Sequence, residues 1–246
     1  MNKKPKIRVL FLAANPDSAT RLELGREFNK IRDAIARAQF RAAFQLIPPE
    51  FNAQIETISA ALISYRPHVV HFAGHGSQSQ GLVLEDRNHR TILTEKAELT
   101  ALLKQLRRDI RLVFLNACYT EEQAQMLKKI FDYTIGSDGL IEDRCAAEFA
   151  RAFYRHLAEG ATVREAFLAS QFGIKNCGPV MTKLLKRAGV RDNRSFVDQV
   201  TKQLVKGPKS QLRQPSSSQA GIENYGEIGT FINGSTLTIN MQQRER

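Results

Sequence analysis

Short apolar segments alternate with amphipathic helical patterns along most of the first 175 residues of this chain. The segment IRVLFLAA (7–14) is apolar at nearly every position, which is typical of a strand buried on both faces of a parallel sheet. A capping-box motif, Thr20-Arg-Leu-Glu23, follows it and precedes apolar residues spaced three and four positions apart. The alternation therefore predicts an α/β fold, in which helices cover both faces of a mainly parallel sheet.

The same patterns predict four further strands and the helices between them. The strands are expected at 44–48, 68–73, 111–117 and 133–136, and the helices at about 55–65, 99–106, 120–131, 143–158 and 162–172. Residues 81–93 contain two apolar runs around a polar turn, which predicts a small hairpin beside the sheet. Five core strands follow from the sequence in this way.

Beyond residue 175 the composition changes, and the sequence predicts three segments after the α/β domain (1–175). They are a basic helical extension at 176–205, with helices at 179–188 and 193–205, then a flexible linker at 206–226 and a β-hairpin tail at 227–246. The hairpin is predicted because Asn233-Gly234 joins two β-prone runs and suits a type I′ turn. We expect this hairpin to dock on a sheet edge, since isolated hairpins are marginally stable.

The positive charge of the chain is concentrated in one segment. The formal net charge is +11, and residues 183–213 contain nine Lys or Arg against two Asp. Such a segment could bind nucleic acid or an acidic partner, or it could form a solvated helical face and linker. Phe196 is its single aromatic residue, whereas proteins that bind single-stranded nucleic acid present several stacking rings, so we expect no nucleic-acid partner.

Cysteine content and hydropathy indicate the cellular compartment in which the protein is expected. Cys118, Cys145 and Cys177 are too few and too widely spaced for a disulfide framework or a four-cysteine zinc site. No apolar run approaches the roughly 20 residues that cross a bilayer, and the N-terminus lacks the apolar core of a signal peptide. We therefore expect a cytoplasmic protein without membrane association. At least one thiol should be free, and Cys145 and Cys177 should be inert.

Two loops after predicted strands contain residues that can perform chemistry. Gly74-His75-Gly76-Ser77 follows the third strand, and Asn116-Ala117-Cys118-Tyr119 follows the next core strand. Reacting groups gather at the carboxyl ends of strands in α/β sheets, so neighbouring strands would bring a thiol nucleophile and its base together. A lone Cys is often a small buried apolar residue and a lone His is often a turn residue, but their joint occurrence favours a catalytic pair.

The surroundings of Cys118 suit the same chemistry. Thr120-Glu-Glu-Gln123 has the pattern of a capping box, which would set the thiol just before a helix N-terminus and favour a thiolate. The backbone amides of Cys118 and Gly76 would then converge on the carbonyl oxygen under attack and form an oxyanion hole.

The histidines do not predict a metal site, and no cofactor is expected. In an extended strand His71 and His75 lie about 13 Å apart, at roughly 3.3 Å per residue, and His68 faces the other side. A packed His71 is therefore preferred. Gly74-x-Gly76-x-x-Ser79 nearly matches a dinucleotide-binding loop, but it ends in Ser and follows the third strand.

Taken together, three blocks resemble the CHAT domain, a caspase-like cysteine peptidase of the clan that includes caspases, metacaspases, gingipains and separase. The blocks are HVVHFAGHGSQSQGLVLED, RLVFLNACYT and YTIGSDGLIEDRCAAEFARAFYRHLAEGATVREAFLASQ, within roughly residues 6 to 173. The resemblance implies a caspase-like sheet of six strands, a His75–Cys118 dyad and an oxyanion hole formed by the amides of Gly76 and Cys118. Asn116-Ala-Cys118 replaces the Gln-Ala-Cys of caspases, so aspartate specificity is not implied.

The resemblance also suggests where substrate binds. In arginine-specific relatives an acidic residue after the fifth strand lies in the pocket for the P1 side chain, the one preceding the scissile bond. Asp143 occupies the acidic position of that turn, and Asp138 lies in the same stretch. A carboxylate there would pair with a basic P1 side chain. Asp143 could instead serve as the N-cap of the helix that begins near Arg144.

Three functions are compatible with the sequence. The first is a cysteine endopeptidase that cleaves specific protein partners in a bacterial regulatory, cell-death or defence pathway, with a separate activating or regulatory protein partner. The second is a catalytically silent adaptor that binds through the basic C-terminal extension. The third is nucleic-acid binding. The intact His75 and Cys118 favour the first over the second.

Overall fold

The computed structural model describes residues 6–16, 22–79, 81–93, 95–174, 177 and 182–206. In chain order the strands are β1 (Ile7–Ala14), β2 (Phe44–Leu46), β3 (Val69–Gly74), β4 (Gly76–Ser77), β5 (Gly81–Glu85), β6 (Thr91–Leu93), β7 (Leu112–Asn116), β8 (Tyr133–Ser137) and β9 (Thr182–Lys186). The helices are α1 (Leu24–Ala36), α2 (Ile55–Tyr65), α3 (Lys96–Gln105), α4 (Glu121–Leu127), α5 (Asp143–Ala158), α6 (Val163–Gly173) and α7 (Phe196–Lys206). Among these described helices, none has the length and apolar character needed to cross a membrane.

Six strands form the main sheet, in the order β2-β1-β3-β7-β8-β9. All neighbouring pairs are parallel except β8 and β9, which are antiparallel. A second sheet of β4, β5 and β6 is antiparallel and contains the hairpin predicted at 81–93. The predicted α/β class with a mainly parallel sheet is confirmed.

Both faces of the sheet are buried, as the apolar strand patterns predict. Along β1, Val9 and Phe11 point into a core layer shared with α1, α5, α6 and α7, whereas Leu10 and Leu12 point into a second layer shared with α2, α3 and α4. Successive side chains of a strand alternate between faces, so a strand with apolar residues at every position can only be stable between two layers of helices.

Residues 182–186 correct one prediction, because they form strand β9 and not part of a helix at 179–188. Thr182 pairs with Ser137, and Lys186 pairs with Tyr133, so this segment completes the sheet as its sixth strand. The predicted helix at 193–205 is present as α7. The linker predicted at 206–226 and the hairpin tail at 227–246 lie, apart from Lys206, outside the described residues.

Part of the basic segment is paired with acidic residues of the sheet. Lys183 lies 3.0 Å from Glu121 and 2.5 Å from Asp138, and Arg187 forms an ion pair with Asp132. These contacts fix two of the nine basic residues against the α/β domain, which differs from the solvated helical face that the charge pattern allowed.

Cys145 and Cys177 form a disulfide that the sequence did not predict. They are 32 positions apart in sequence, Cys145 on α5 and Cys177 after the end of α6, and their Cα atoms lie 5.8 Å apart. Cys118 is the free thiol, as expected. Disulfides persist mainly in oxidising compartments, so this bond weighs against the expected reducing cytoplasm.

His68, which immediately precedes β3, is expected to make the stability of the fold depend on pH. Burial and then the positive charge of Arg8 lower the pKa of His68 to about 4, and its Nδ1 accepts the Arg8 amide at 2.9 Å. The unfolded chain binds a proton on His68 at higher pH than the native state does. The contribution of His68 to stability is therefore complete above pH 6.5 and is lost as pH falls toward 4. Between pH 7 and pH 4 the free energy of unfolding should fall by up to about 3 kcal/mol more in the wild type than in His68→Asn. Urea titrations at both pH values measure this, and equal losses in the two proteins would contradict it.

Candidate active site

The predicted nucleophile and base follow neighbouring strands at the same edge of the sheet. The β3–β7 ladder ends where Ala73 pairs with Asn116, and His75 and Cys118 each come two residues later. Their loops touch, because a Cβ built on Gly76 would lie 1.8 Å from the carbonyl oxygen of Cys118. His75 and Cys118 are both half-buried. The structure thus brings together the two loops that contain the predicted base and nucleophile.

The Cys118 thiol lies against the loop that follows β8. Its Sγ accepts the backbone N–H of Ile141 at 3.3 Å. The next amide, that of Tyr119, donates to the carbonyl of Gly139 at 3.3 Å. Tyr119 has a φ of 55°, a left-handed conformation that is uncommon for a bulky side chain. The thiol also lies 3.8 Å from the carbonyl oxygen of Ile141, to which it can donate, so the sulfur contacts both backbone groups of this residue.

The capping box predicted at Thr120-Glu-Glu-Gln123 does not form. Thr120 does stand just before α4, but its hydroxyl donates toward the carbonyls of Leu115 and Ala117 and accepts the amide of Ser137. The side chain therefore ties the end of β7 to β8. The hydrogen bonds of the thiol are made with the backbone of Ile141 and not with a capping side chain.

The backbone N–H of Gly76 is not used in the pairing of β4 with β5. The amide of Val83 donates to the carbonyl of His75 at 3.0 Å, which makes Gly76 and Leu82 a non-hydrogen-bonded pair of the β4–β5 ladder. The Gly76 N–H is consequently directed away from β5. The predicted amides of Gly76 and Cys118 belong to backbone segments in direct contact.

The two predicted substrate-binding carboxylates lie on either side of the loop that contacts Cys118. Asp138 directly follows β8; its Oδ2 pairs with Lys183, and its Oδ1 is buried without a hydrogen-bond partner among the described residues. Asp143 is the first residue of α5, not its N-cap, which is Glu142. The Asp143 carboxylate accepts the Glu23 amide at 3.3 Å. The predicted N-cap role is therefore wrong.

The start of α1 also differs from the prediction, since this helix begins at Leu24. Glu23 is its N-cap and makes no side-chain cap bond. The predicted capping box would have started this helix directly after Thr20, which lies outside the described residues. Glu23 is instead anchored through its amide to Asp143.

His71 is packed in the core, as the sequence analysis preferred. Its ring stacks on Phe11 with the centroids 5.0 Å apart, and its nitrogens contact the Tyr154 hydroxyl at 3.2 Å and Glu27 Oε1 at 2.8 Å. Within the described ranges, no group of three or more His, Cys, Asp or Glu side chains could hold a metal ion.

Glu27 and Asn116 complete a polar cluster that the sequence analysis missed. Asn116 Nδ2 donates to Glu27 Oε1 at 2.7 Å, and both residues are buried. A signal for Glu27 was present in the sequence, since it lies three positions after Leu24 and four before Ile31, on the apolar face of α1. A charged residue at such a position needs a buried partner.

Comparisons with known proteins agree with this architecture. The sequence profile of the CHAT domain matches residues 2–176. A probable protease of Gillisia limnaea is 23% identical over 154 residues, which are 62% of this chain and 27% of that protein. A Roc-COR-CHAT protease from an unknown prokaryotic organism is 21% identical over 174 residues, covering 68% of this chain and 16% of that protein. The chain thus spans about a quarter or less of these relatives.

Among solved structures, the arginine-specific cysteine proteinase gingipain R is similar in fold. The TM-score is 0.53 at 15% sequence identity, over 80% of this chain and 49% of that one. At this identity the likeness concerns the fold, and it agrees with the caspase-like arrangement of the six-stranded sheet.

Proposed function

Because this chain belongs to the CHAT domain family, we propose that it is a cysteine endopeptidase that cleaves specific protein partners. Cys118 would be the nucleophile and His75 the base. The observation that carries the proposal is the contact between the two loops at the carboxyl ends of β3 and β7, where Gly76 lies against the backbone of Cys118. The names of the relatives as proteases point in the same direction.

The proposed reaction is acyl transfer through the Cys118 sulfur. His75 accepts the thiol proton as Sγ attacks the scissile carbonyl carbon, and the amides of Gly76 and Cys118 donate to the oxyanion that develops. His75 then returns the proton to the leaving amine as the peptide bond breaks, leaving a thioester on Cys118. Water, deprotonated by His75, hydrolyses the thioester and frees the thiol.

We propose a basic P1 side chain, with Asp138 as the better candidate for its partner. The Oδ1 atom of Asp138 is buried and has no partner among the described residues, although Lys183 holds Oδ2. A guanidinium or ammonium group reaching Oδ1 would satisfy it. The carboxylate of Asp143 already accepts the amide of Glu23, so its contribution to substrate binding would be smaller.

The biological setting stays a prediction from the sequence. A bacterial regulatory, cell-death or defence pathway and an activating protein partner are compatible with a peptidase that cuts few substrates. The cytoplasmic location also stays a prediction, and the Cys145–Cys177 disulfide is the observation against it.

A peptide library with varied P1 residues, together with an electrophilic peptide probe, tests the activity. The wild type should cleave after Arg or Lys and react with the probe at Cys118. Cys118→Ala should do neither, and His75→Ala should react at least about 100-fold more slowly. A folded wild type that neither cleaves any library member nor reacts with the probe would contradict the proposal and favour the silent adaptor.

The same library tests the substrate pocket. Asp138→Asn should lower kcat/KM for Arg and Lys substrates by at least about 10-fold, because the charged partner of the P1 side chain is lost. Asp33→Asn, on the exposed side of α1, is the matched control and should retain wild-type specificity. An unchanged preference in Asp138→Asn would exclude Asp138 as the P1 partner.

A further inference from the structure

A buried polar cluster lies beneath the candidate active site and takes no part in the proposed chemistry. We name it the Glu27 cluster: Glu27 of α1, His71 of β3, Asn116 of β7 and Tyr154 of α5. All four residues are buried, and the side chain of Glu27 is 2% exposed. The cluster therefore joins two helices and two central strands through polar contacts inside an apolar layer.

One arrangement of protons satisfies every contact in the cluster. Burial, and then the charge of Glu27, raise the pKa of Tyr154, so its hydroxyl keeps its proton and can donate to Nδ1 of His71. The Nε2–H of His71 then donates to Glu27 Oε1, and Asn116 Nδ2 donates to the same oxygen. Glu27 Oε1 thus accepts two hydrogen bonds, one from His71 and one from Asn116.

Stability alone does not explain a carboxylate at this place. The surrounding side chains include Phe11 and Phe114, whose rings lie 5.0 and 4.7 Å from that of His71. Replacing buried polar groups in such a layer by apolar groups of the same volume is often neutral or stabilising. The cluster does hold the Asn116 side chain in place, through the 2.7 Å hydrogen bond from its Nδ2 to Glu27.

Asn116 is the last residue of β7, and it stands two residues before Cys118. Beyond it the backbone turns through Tyr119 in a left-handed conformation, which persists only where the surrounding structure holds it. The loop after β8 holds this turn from one side, through the carbonyl of Gly139. On the other side, the Asn116–Glu27 bond fixes the point where the turn begins.

We propose that Glu27 and Asn116 are positioning residues that fix the path of the chain into Cys118. The inference rests on the proposed peptidase function, but it also predicts a property of the thiol itself. If the end of β7 moves, the sulfur loses its hydrogen bond from the Ile141 amide. Both turnover and the intrinsic reactivity of Cys118 should then fall.

Asn116→Ala tests this through two readouts. The kcat for the best library peptide should fall about 30-fold with KM changed less than about 3-fold, since misplacement of a reacting group by 1 Å can cost about 100-fold. The rate of Cys118 alkylation by iodoacetamide should fall by at least about 3-fold. Asn116→Ser, too short to reach Glu27, carries the same expectation should Asn116→Ala not fold.

Two further variants separate positioning from stability. Glu27→Gln keeps an oxygen that accepts from both neighbours, so it should retain most of the kcat that Glu27→Ala loses. Thr134→Val is the matched control: it removes another buried hydrogen bond, from Thr134 to the carbonyl of Ala124, on the neighbouring strand β8. It should lower the melting temperature and leave kcat and the alkylation rate close to wild type.

The outcomes distinguish the two proposals. Equal effects of Asn116→Ala and Thr134→Val on kcat and alkylation would overturn the positioning role, since the cluster would then only stabilise the fold. A wild type without peptidase activity would contradict the proposed function, but the alkylation rates would still decide whether Glu27 and Asn116 position the thiol.

Discussion

Gly76→Ala is expected to reduce peptide hydrolysis by at least about 100-fold in a protein that still folds. A methyl group at this position would lie 1.8 Å from the carbonyl oxygen of Cys118 and 3.0 Å from its amide nitrogen. These are backbone atoms and cannot rotate away, so the two loops must separate. Separation would move the Gly76 amide from the developing oxyanion and His75 from the thiol. Steady-state kinetics, with circular dichroism to verify folding, measure the effect.

Gly25→Ala provides the control for this substitution. Gly25 is exposed in α1, and a Cβ at this position would meet nothing within 4 Å. Alanine is the better helix former, so the variant should be fully active and up to about 1 kcal/mol more stable. Wild-type activity in Gly76→Ala would show that the contact between the loops is not needed for catalysis.

Phe114→Ala is expected to lower the free energy of unfolding by about 3–5 kcal/mol, which is enough to unfold many domains of ordinary stability. Phe114 is fully buried in the middle of β7. Its ring packs edge-on against Phe149 and Phe153 of α5, with centroids 5.9 and 5.5 Å away. Truncation would leave a cavity between the sheet and α5 that rigid strands cannot close. Urea unfolding followed by circular dichroism gives the free energy.

Ile63→Ala is the matched control for truncation of a large apolar side chain. Ile63 lies on α2 and is 62% exposed, so its loss should change the free energy of unfolding by about 0.5 kcal/mol or less. If Phe114→Ala were as mild as this control, the described packing of α5 on the sheet would be wrong.

The sequence predicted those parts of the fold in which a hydrophobic pattern is compatible with only one kind of secondary structure and burial. Apolar residues at nearly every position of β1, β3 and β7 favour helices on both faces, and this is what the two core layers provide. Strand β9 was missed for the opposite reason. A five-residue segment with two adjacent leucines fits a helix or a strand equally well, and its pairing with β8 decides between them.

Those residues of the candidate site that directly follow the ends of strands could be predicted from the sequence. His75 and Cys118 each follow a strand, and the pairing of these two strands places their loops in contact. The Ile141 amide could not be predicted, because it reaches the sulfur through the path of a loop. The pairing of Cys145 with Cys177 could not be predicted either, because it joins residues 32 positions apart whose proximity depends on the tertiary structure.

The two outermost strands of the described sheet affect how readily one molecule can add to the edge of another. A sheet that ends in a long, flat, apolar strand offers unpaired backbone groups to another molecule. Here β2 has only three residues, and β9 ends the opposite side with Lys183 and Lys186 exposed. Because Lys183 is paired with Glu121 and Asp138, it is Lys186 that would bring like charges together if an identical strand were added beside β9. Fibril growth along the described sheet is therefore opposed at both ends, by shortness at one and by electrostatic repulsion at the other.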